Sequence, residues 1–398
     1  MKRAAIIHPT RTPVGRFGGA LRSIPVEVLG ALVAKKVIIS TGIEPERIDD
    51  VVFAQSYANS EAPCVGRWIA LEAGLPISVP GMQLDRRCGG GLQAIANAAM
   101  MVTSGACDVV LAGGVESMSN IEHYTTGVRW GTRSGSPVLH DRLDRGRERS
   151  QPEHRFGHIS GMIETADNLA EKYGISREES DIYAVRSHHR AASAWEEGRF
   201  DAEIVPVPVP QKKGVDLTFD QDEGVRSDTS VEGLAGLRTI RPGGVVTAGN
   251  AAQQNDAAAA CLVVSEDVLA ELNLVPDAFL VGWAAAGCHP AEMGIGPVPS
   301  TDRLLKKLGL KLADMNLIEI NEAFACQVLS VLKEWGGVDE DIVNVNGSGI
   351  SLGHPVGATG VRIMTTLVHE MKRRGARYGL ETMCIGGGQG MAAVFERP

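Results

Sequence analysis

Cys88 stands in the run Leu-Asp-Arg-Arg-Cys-Gly-Gly-Gly-Leu-Gln, between a short apolar strand pattern and a helix pattern. A thiol at a helix entrance faces free backbone N–H groups and the positive end of the helix dipole. Both favour thiolate, the nucleophilic form of cysteine. An ordinary cysteine is only a few per cent ionised near neutrality, so a nearby base would matter. His354 lies in a second glycine-rich turn, Asn-Gly-Ser-Gly-Ile-Ser-Leu-Gly-His-Pro-Val-Gly. If the two turns meet, they make a Cys–His pair, the usual logic of an activated nucleophile. Cys384 opens Cys-Ile-Gly-Gly-Gly-Gln-Gly, a glycine run that can leave N–H groups free for an oxyanion. Asn321 and Glu322 open Asn-Glu-Ala-Phe-Ala after an apolar run. Each residue also has a plainer reading: a small buried thiol, a turn histidine bonded to backbone, a helix cap at Asn321 with Glu322 in the first turn.

The elements that must position these residues alternate. Strand patterns cover Ala4–Ile7, Val51–Ala54, Gly81–Leu84, Asp108–Ala112, Phe279–Ala285, Leu317–Ile320, Ile342–Val345, Glu381–Ile385 and Met391–Phe395. Helix-period segments cover Val26–Ile39, Leu92–Thr103, Glu322–Trp335 and Gly357–Arg374. Alternation of this kind predicts an α/β fold with largely buried sheets. The ends share one layout: strand, glycine-rich turn (at Cys88 or His354), helix, strand, glycine cluster. That predicts two similar halves packed together. Residues 119–244 are richer in charge, Pro and His and read as an inserted loop or substrate domain. The expected division is 1–118 with 245–270, then 119–244, then 271–398.

Composition excludes several function classes. The 398 residues are 44% hydrophobic, enough for a large core, and the net charge is −9 with no long block of one sign. That argues against nucleic acid as the main partner. The seven cysteines contain no CxxC pair, so neither a zinc site nor a disulfide framework is expected. No run of apolar residues is long enough for a membrane span. No signal-peptide pattern opens the sequence, and the final Phe-Glu-Arg-Pro is not a peroxisomal tripeptide, so cytoplasm is the default expectation.

The four reactive blocks resemble, in order, the signature blocks of the thiolase family. Further matches are Arg11-Thr12-Pro13-Val14-Gly15-Arg16-Phe17-Gly18-Gly19, Gly113-Gly114-Val115-Glu116-Ser117-Met118-Ser119, Thr247-Ala248-Gly249-Asn250 and Met293-Gly294-Ile295-Gly296-Pro297. The resemblance spans nearly the whole chain. It implies a thiolase fold: two similar core halves stacked as five αβαβα layers, with the inserted loop domain. It implies a ping-pong acyl transfer in which His354 takes the Cys88 proton, Cys88 is acylated by a 3-ketoacyl-CoA, and Cys384 exchanges the α-proton of acetyl-CoA. One oxyanion site would use His354 with a water held by Asn321, the other the N–H groups of Cys88 and Gly386. Coenzyme A is implied as co-substrate, with no tightly bound cofactor and no metal. Arg226, Ala248 and Ala252 fall at CoA-contact positions, and Met162 and Phe324 at acyl-pocket positions. A homodimer or homotetramer is implied, with 142–155 as a candidate contact loop.

The sequence also departs from the family. Asp85 and Gly90 replace the more usual Asn and Ser around the nucleophile, and Ala252 stands where Ser is common. Gly161 stands where short-chain acetoacetyl-CoA thiolases carry His. Loss of that imidazole points to a broader or longer 3-ketoacyl substrate. Two rival readings are a ketoacyl synthase, which the Cys384 block disfavours, and a non-catalytic acyl-CoA-binding relative, which the intact reactive set disfavours.

Overall fold

The structure is a computed structural model describing residues 2–211 and 214–398. Its main sheet contains β1 (Ala4–Arg11), β2 (Gly15–Arg16), β3 (Asp50–Ala54), β4 (Met82–Leu84) and β5 (Val109–Ser117). Two small hairpins follow, β6 (His123–Tyr124) with β7 (His140–Asp141), and β8 (Val207–Val209) with β9 (Leu217–Phe219). The main sheet resumes with β10 (Asn255–Ser265), β11 (Ala278–Gly287), β12 (Leu317–Ile320), β13 (Tyr378–Ile385) and β14 (Gln389–Glu396). The helices are α1 (Val26–Thr41), α2 (Val65–Glu72), α3 (Gly90–Ser104), α4 (Arg142–Glu148), α5 (Glu153–Phe156), α6 (Met162–Tyr173), α7 (Arg177–Glu196), α8 (Val231–Ala235), α9 (Pro297–Leu308), α10 (Ala325–Trp335) and α11 (Thr359–Arg374).

The strand order is β12-β13-β14-β11-β1-β10-β5-β3-β4, with β2 attached to β10. The two halves therefore share one hydrogen-bonded ladder, joined where Ala4–Ile6 of β1 meet Ala278–Leu280 of β11. Side chains alternate across each strand, so one strand serves two cores. Val109 and Leu111 of β5 join Leu29, Val33 and Val37 of α1 in one core. Val110 and Ala112 face the other way, against α3 and α11. Met383 and Ile385 of β13 reach that same middle core, while Leu380 packs against α9 and α10. The layers are thus outer helices, half-sheet, α3 with α11, half-sheet, outer helices, and the ladder curls about the middle pair.

Two sequence expectations are corrected. Residues 342–345 form no strand of the sheet: a 3-10 turn covers Glu340–Ile342, and Asn344 adopts a left-handed φ of 48° that a ladder cannot hold. Val343 makes only an isolated bridge to Ile318. The helix expected from Glu322 starts at Ala325 with Phe324 as its N-cap, so Asn321 caps nothing and Glu322 lies outside the first turn. The glycine triplet also has a different job. A Cβ on Gly91 would sit 2.8 Å from Val361 N and 3.1 Å from Gly357 O, so glycine here permits α3 to pack against the start of α11.

The inserted segment leans on the second half. Helix α7 opens with a capping box, in which Glu179 N donates to Ser176 Oγ (3.1 Å) and Ser176 N donates to Glu179 Oε2 (2.6 Å). Tyr183 and Ala184 of α7 pack into the core beside α10, and Ala166 and Ala170 of α6 pack against Phe324 and Cys326.

Candidate active site

Strand β4 delivers the chain to a sharp turn. Arg87 holds a φ of 48°, and its N–H donates to Asp85 Oδ1 at 2.6 Å. Asp85 thus acts as a turn-forming acceptor, which Asn could equally supply. The turn Arg87–Gly89 runs straight into α3. Cys88 is partly exposed, and its open surface lies on a cavity of about 1570 Å³. Burial pushes its thiol up, against the opposing pull of the Gly386 N–H, the Arg87 charge and its own backbone N–H. Desolvation outweighs those opposing effects, so the thiol needs a base to ionise.

Cys384, one residue before the end of β13, is fully buried opposite Gly390. Burial, with Cys88 and Cys288 close by, holds its thiol well above the ordinary range. The β13–β14 hairpin turns through Gly386, Gly387 and Gly388, with φ of 90° and 82° at the last two, which L side chains rarely adopt.

His354 follows Gly353 in the turn before α11. Its N–H donates to Asn255 Oδ1 at 2.9 Å, while Asn255 Nδ2 donates to Gly15 O at 3.0 Å. Asn255 thereby fixes the histidine turn to the first half. His354 Nδ1 lies 2.6 Å from Thr359 Oγ1, whose hydroxyl donates to Pro355 O at 3.0 Å. Burial, then the charges of Arg362 and Arg147, lowers the imidazole to about 3. It is neutral throughout the working range. Asn321 Nδ2 lies 3.4 Å from both ring nitrogens, and its Oδ1 has no hydrogen-bond partner among the described residues.

Cys88, His354, Cys384 and Gly386 all line the one cavity, as do Met162, Phe324, Ala248 and Ala252. Asn321 stands behind it, against the imidazole. Arg226 does not line it. That side chain is exposed, on a loop whose N–H donates to His188 Nδ1 at 3.2 Å. Arg142 through Arg149 form one wall of the cavity. Among the described residues, no cluster of His, Cys, Asp and Glu is placed to hold a metal ion, and no helix is long and apolar enough to cross a membrane.

Two buried carboxylates were not singled out as site residues by sequence. Glu116 accepts from Ser56 N (3.0 Å), Tyr57 N (3.2 Å) and Gly357 N (2.9 Å), tying the histidine turn to the loop after β3. Burial raises it to about 7 in spite of those bonds. Glu322 accepts from Tyr183 Oη (3.0 Å), Ser187 Oγ (2.6 Å), Asn344 Nδ2 (3.1 Å) and Ile350 N (3.1 Å), locking α7 to the chain ahead of His354. Both lie inside recognisable blocks, but only three-dimensional contacts reveal what they bind.

Comparison with known proteins agrees with this arrangement. Residues 4–267 match the model of the thiolase N-terminal domain, and 274–397 that of the thiolase C-terminal domain. The chain is 46% identical over 398 residues to an acetyl-CoA acetyltransferase of Chromobacterium violaceum, covering 99% of each. A Bacillus anthracis acetyl-CoA acetyltransferase structure superposes with a TM-score of 0.95 at 42% identity, covering 100% of this chain and 99% of that one. The human mitochondrial 3-ketoacyl-CoA thiolase in complex with CoA gives 0.93 at 39% identity, covering 100% and 98%. With both halves matched end to end, the chain belongs to the thiolase family of acyltransferases, and its reaction is thiolytic cleavage of a 3-ketoacyl-CoA or the reverse condensation.

Proposed function

We propose that Cys88 carries the acyl group, with His354 as its base and Cys384 as the second acid–base group. The observation that carries this is that Cys88, His354, Cys384 and Gly386, far apart in the chain, line one cavity. The Cys88 and Gly386 N–H groups would then serve the oxygen of a thioester formed there. In the cleavage direction His354 takes the Cys88 proton and the sulfur adds to the 3-keto carbon. The C2–C3 bond then breaks, leaving acyl-Cys88 and the enolate of acetyl-CoA, which takes the Cys384 proton. A second CoA thiol displaces the acyl group and restores the free thiol. In condensation Cys384 removes the α-proton instead. A high resting Cys384 thiol suits the donor role, since it keeps its proton until a stronger base forms.

The enolate oxygen would sit against His354 and a water held by Asn321, whose unpartnered Oδ1 is available to such a water. Loss of one oxyanion donor typically costs about 10²–10³ in rate. Ala248 and Ala252 would border the pantetheine chain, and Arg226 the nucleotide end outside the cavity. Met162 and Phe324 would wall the acyl group. Ala252 offers no hydroxyl, so any pantetheine bond at that point would come from backbone.

The division into residues 1–118 with 245–270, 119–244 and 271–398 is offered as the domain plan. Assembly as a homodimer fits the free edge of β4, where Met82, Trp68, Leu71 and Ile77 are all exposed apolar groups. Pairing of dimers into a homotetramer, a cytoplasmic setting and a place in fatty-acid β-oxidation are further parts of the reading, as is the absence of any tightly bound cofactor.

The direct test is mass spectrometry after brief exposure to a panel of 3-ketoacyl-CoAs. We expect an acyl adduct on Cys88 and its loss on adding CoA. Full turnover by Cys88→Ala would sink the assignment.

A further inference from the structure

Resting on that reaction, we infer that the acyl end of the cavity takes a 3-ketoacyl chain bearing an anionic group at its far end, a dicarboxylic acyl-CoA, and that Arg147 reads the charge. Arg147 lies on α4 and lines the cavity. Its Cβ is 3.7 Å from the position a Cβ on Gly161 would occupy. The next residue, Met162, brings its Sδ to 3.2 Å from the corresponding position on Gly386, which lines the same cavity as Cys88. These contacts place Arg147 next to the Gly161–Met162 segment, on the cavity that Cys88 lines and Arg226 does not. Its charge is felt at His354 and at Tyr57, both of which border the same space.

Several neighbouring cations are engaged. Arg142 pairs with Glu122 at 2.7 Å. Arg87 donates to Ser150 Oγ at 3.1 Å and to Gly146 O at 3.3 Å. Arg241 reaches Asp167 at 3.5 Å and Glu164 at 3.6 Å. The pair recorded for Arg147 is 3.4 Å to Asp144, whose side chain is 68% exposed, so water screens it heavily. Asp85 is occupied by the Arg87 N–H, which leaves Glu148, also on the cavity wall, as the other acidic group on that helix.

A guanidinium on the wall of a cavity also lined by Met162, Ile163 and Phe324 is a poor neighbour for a plain alkyl chain, because covering it would remove water without giving it a partner. A carboxylate supplies that partner, and arginine's planar fork fits it with two parallel bonds. Gly161 keeps the space beside Arg147 open, since a Cβ there would come within 3.7 Å of the Arg147 Cβ. An anionic group can also come from CoA's phosphates, and the kinetics separate the two sources.

The test compares kcat/KM for thiolysis of 3-ketohexanoyl-CoA and of its ω-carboxylate counterpart. We expect the wild type to favour the carboxylate by roughly ten- to hundredfold, the range for a bond to a charged group. Arg147→Leu should collapse that ratio, and Arg147→Lys should keep part of it. The ratio is internal to each preparation, so partial misfolding does not alter it. Two results overturn the inference: a wild type without preference, or a leucine variant that loses both substrates equally while KM for CoA rises. Thiolysis of neither substrate by the wild type overturns the reaction itself, a separate outcome from loss of preference.

Discussion

The position of the His354 proton follows from a single threonine. The Thr359 hydroxyl has one proton and gives it to Pro355 O, so its 2.6 Å contact with Nδ1 requires Nδ1 to donate. Nε2 is then left with its lone pair, the form a base needs. Thr359→Val keeps the shape but removes the acceptor, stranding a buried N–H and releasing the ring to the other tautomer. We expect the rate of Cys88 acylation to fall roughly ten- to hundredfold, with Thr359→Ser close to wild type. Rapid-quench acylation measures this, and an unchanged valine variant would remove the tautomer argument. The sequence made Cys88, His354 and Cys384 visible by residue type and glycine context. It gave no sign of Thr359, five positions further on in a helix pattern. It showed the helix-entrance effects that favour the Cys88 thiolate but not the burial that opposes them, because the first are local and readable whereas desolvation depends on everything packed around the site.

Segments, rather than single groups, are what Glu116 holds. It closes β5 and gathers three backbone donors from two loops, one of which carries His354. Its carboxyl is raised from 4.5 to about 7 by burial, with the Asp85 charge adding to the shift, so the protonated share grows as pH falls through 7. Protonation removes acceptor capacity and loosens the tie to Gly357. His354 cannot supply a transition there, being neutral down to about 3. We therefore expect an acid limb in kcat with a midpoint near pH 7. In Glu116→Gln that limb should vanish, and the plateau should be roughly tenfold lower because an amide cannot satisfy all three donors. A variant that keeps the wild-type midpoint would assign the limb elsewhere. At this scale most elements could be read from apolar period, including the strand Leu317–Ile320 to the residue. The failure at 342–345 is instructive. Its apolar residues Val343 and Val345 are buried, as a strand's would be, yet the left-handed Asn344 aims its side chain at Ile320 and Glu322. Burial pattern alone cannot separate those cases.

Across the whole molecule, the repeat of strand, turn, helix and strand foretold two halves, but not the β1–β11 pairing that joins them in one ladder. Such pairing depends on register between segments far apart in the chain, which no local pattern encodes. The inserted segment is tied in by a comparable long-range device. Arg11, fully buried on β1, donates through Nε to Glu203 at 2.6 Å and through Nη1 and Nη2 to Asp222 at 2.7 and 3.0 Å. Asp222 Oδ1 also accepts Val14 N at 2.7 Å, and Glu203 Oε1 accepts Thr366 Oγ1 of α11 at 2.9 Å. One guanidinium thus links the insertion, the central strand and a middle-layer helix. Arg11→Met would leave two carboxylates buried without their cation. Removing one partner from a buried ion group costs about 3–5 kcal/mol, far above the typical 0–1 kcal/mol of a surface pair. We expect denaturant unfolding of Arg11→Met to show a loss in that range. An exposed pair removed by Arg47→Met, which breaks a 2.7 Å contact to Glu271, should change stability by less than about 1 kcal/mol. Both substitutions delete a guanidinium, Arg11 with bonds to two buried carboxylates and Arg47 with one bond to an exposed one. Equal losses from both would mean that burial is not what gives the Arg11 network its weight.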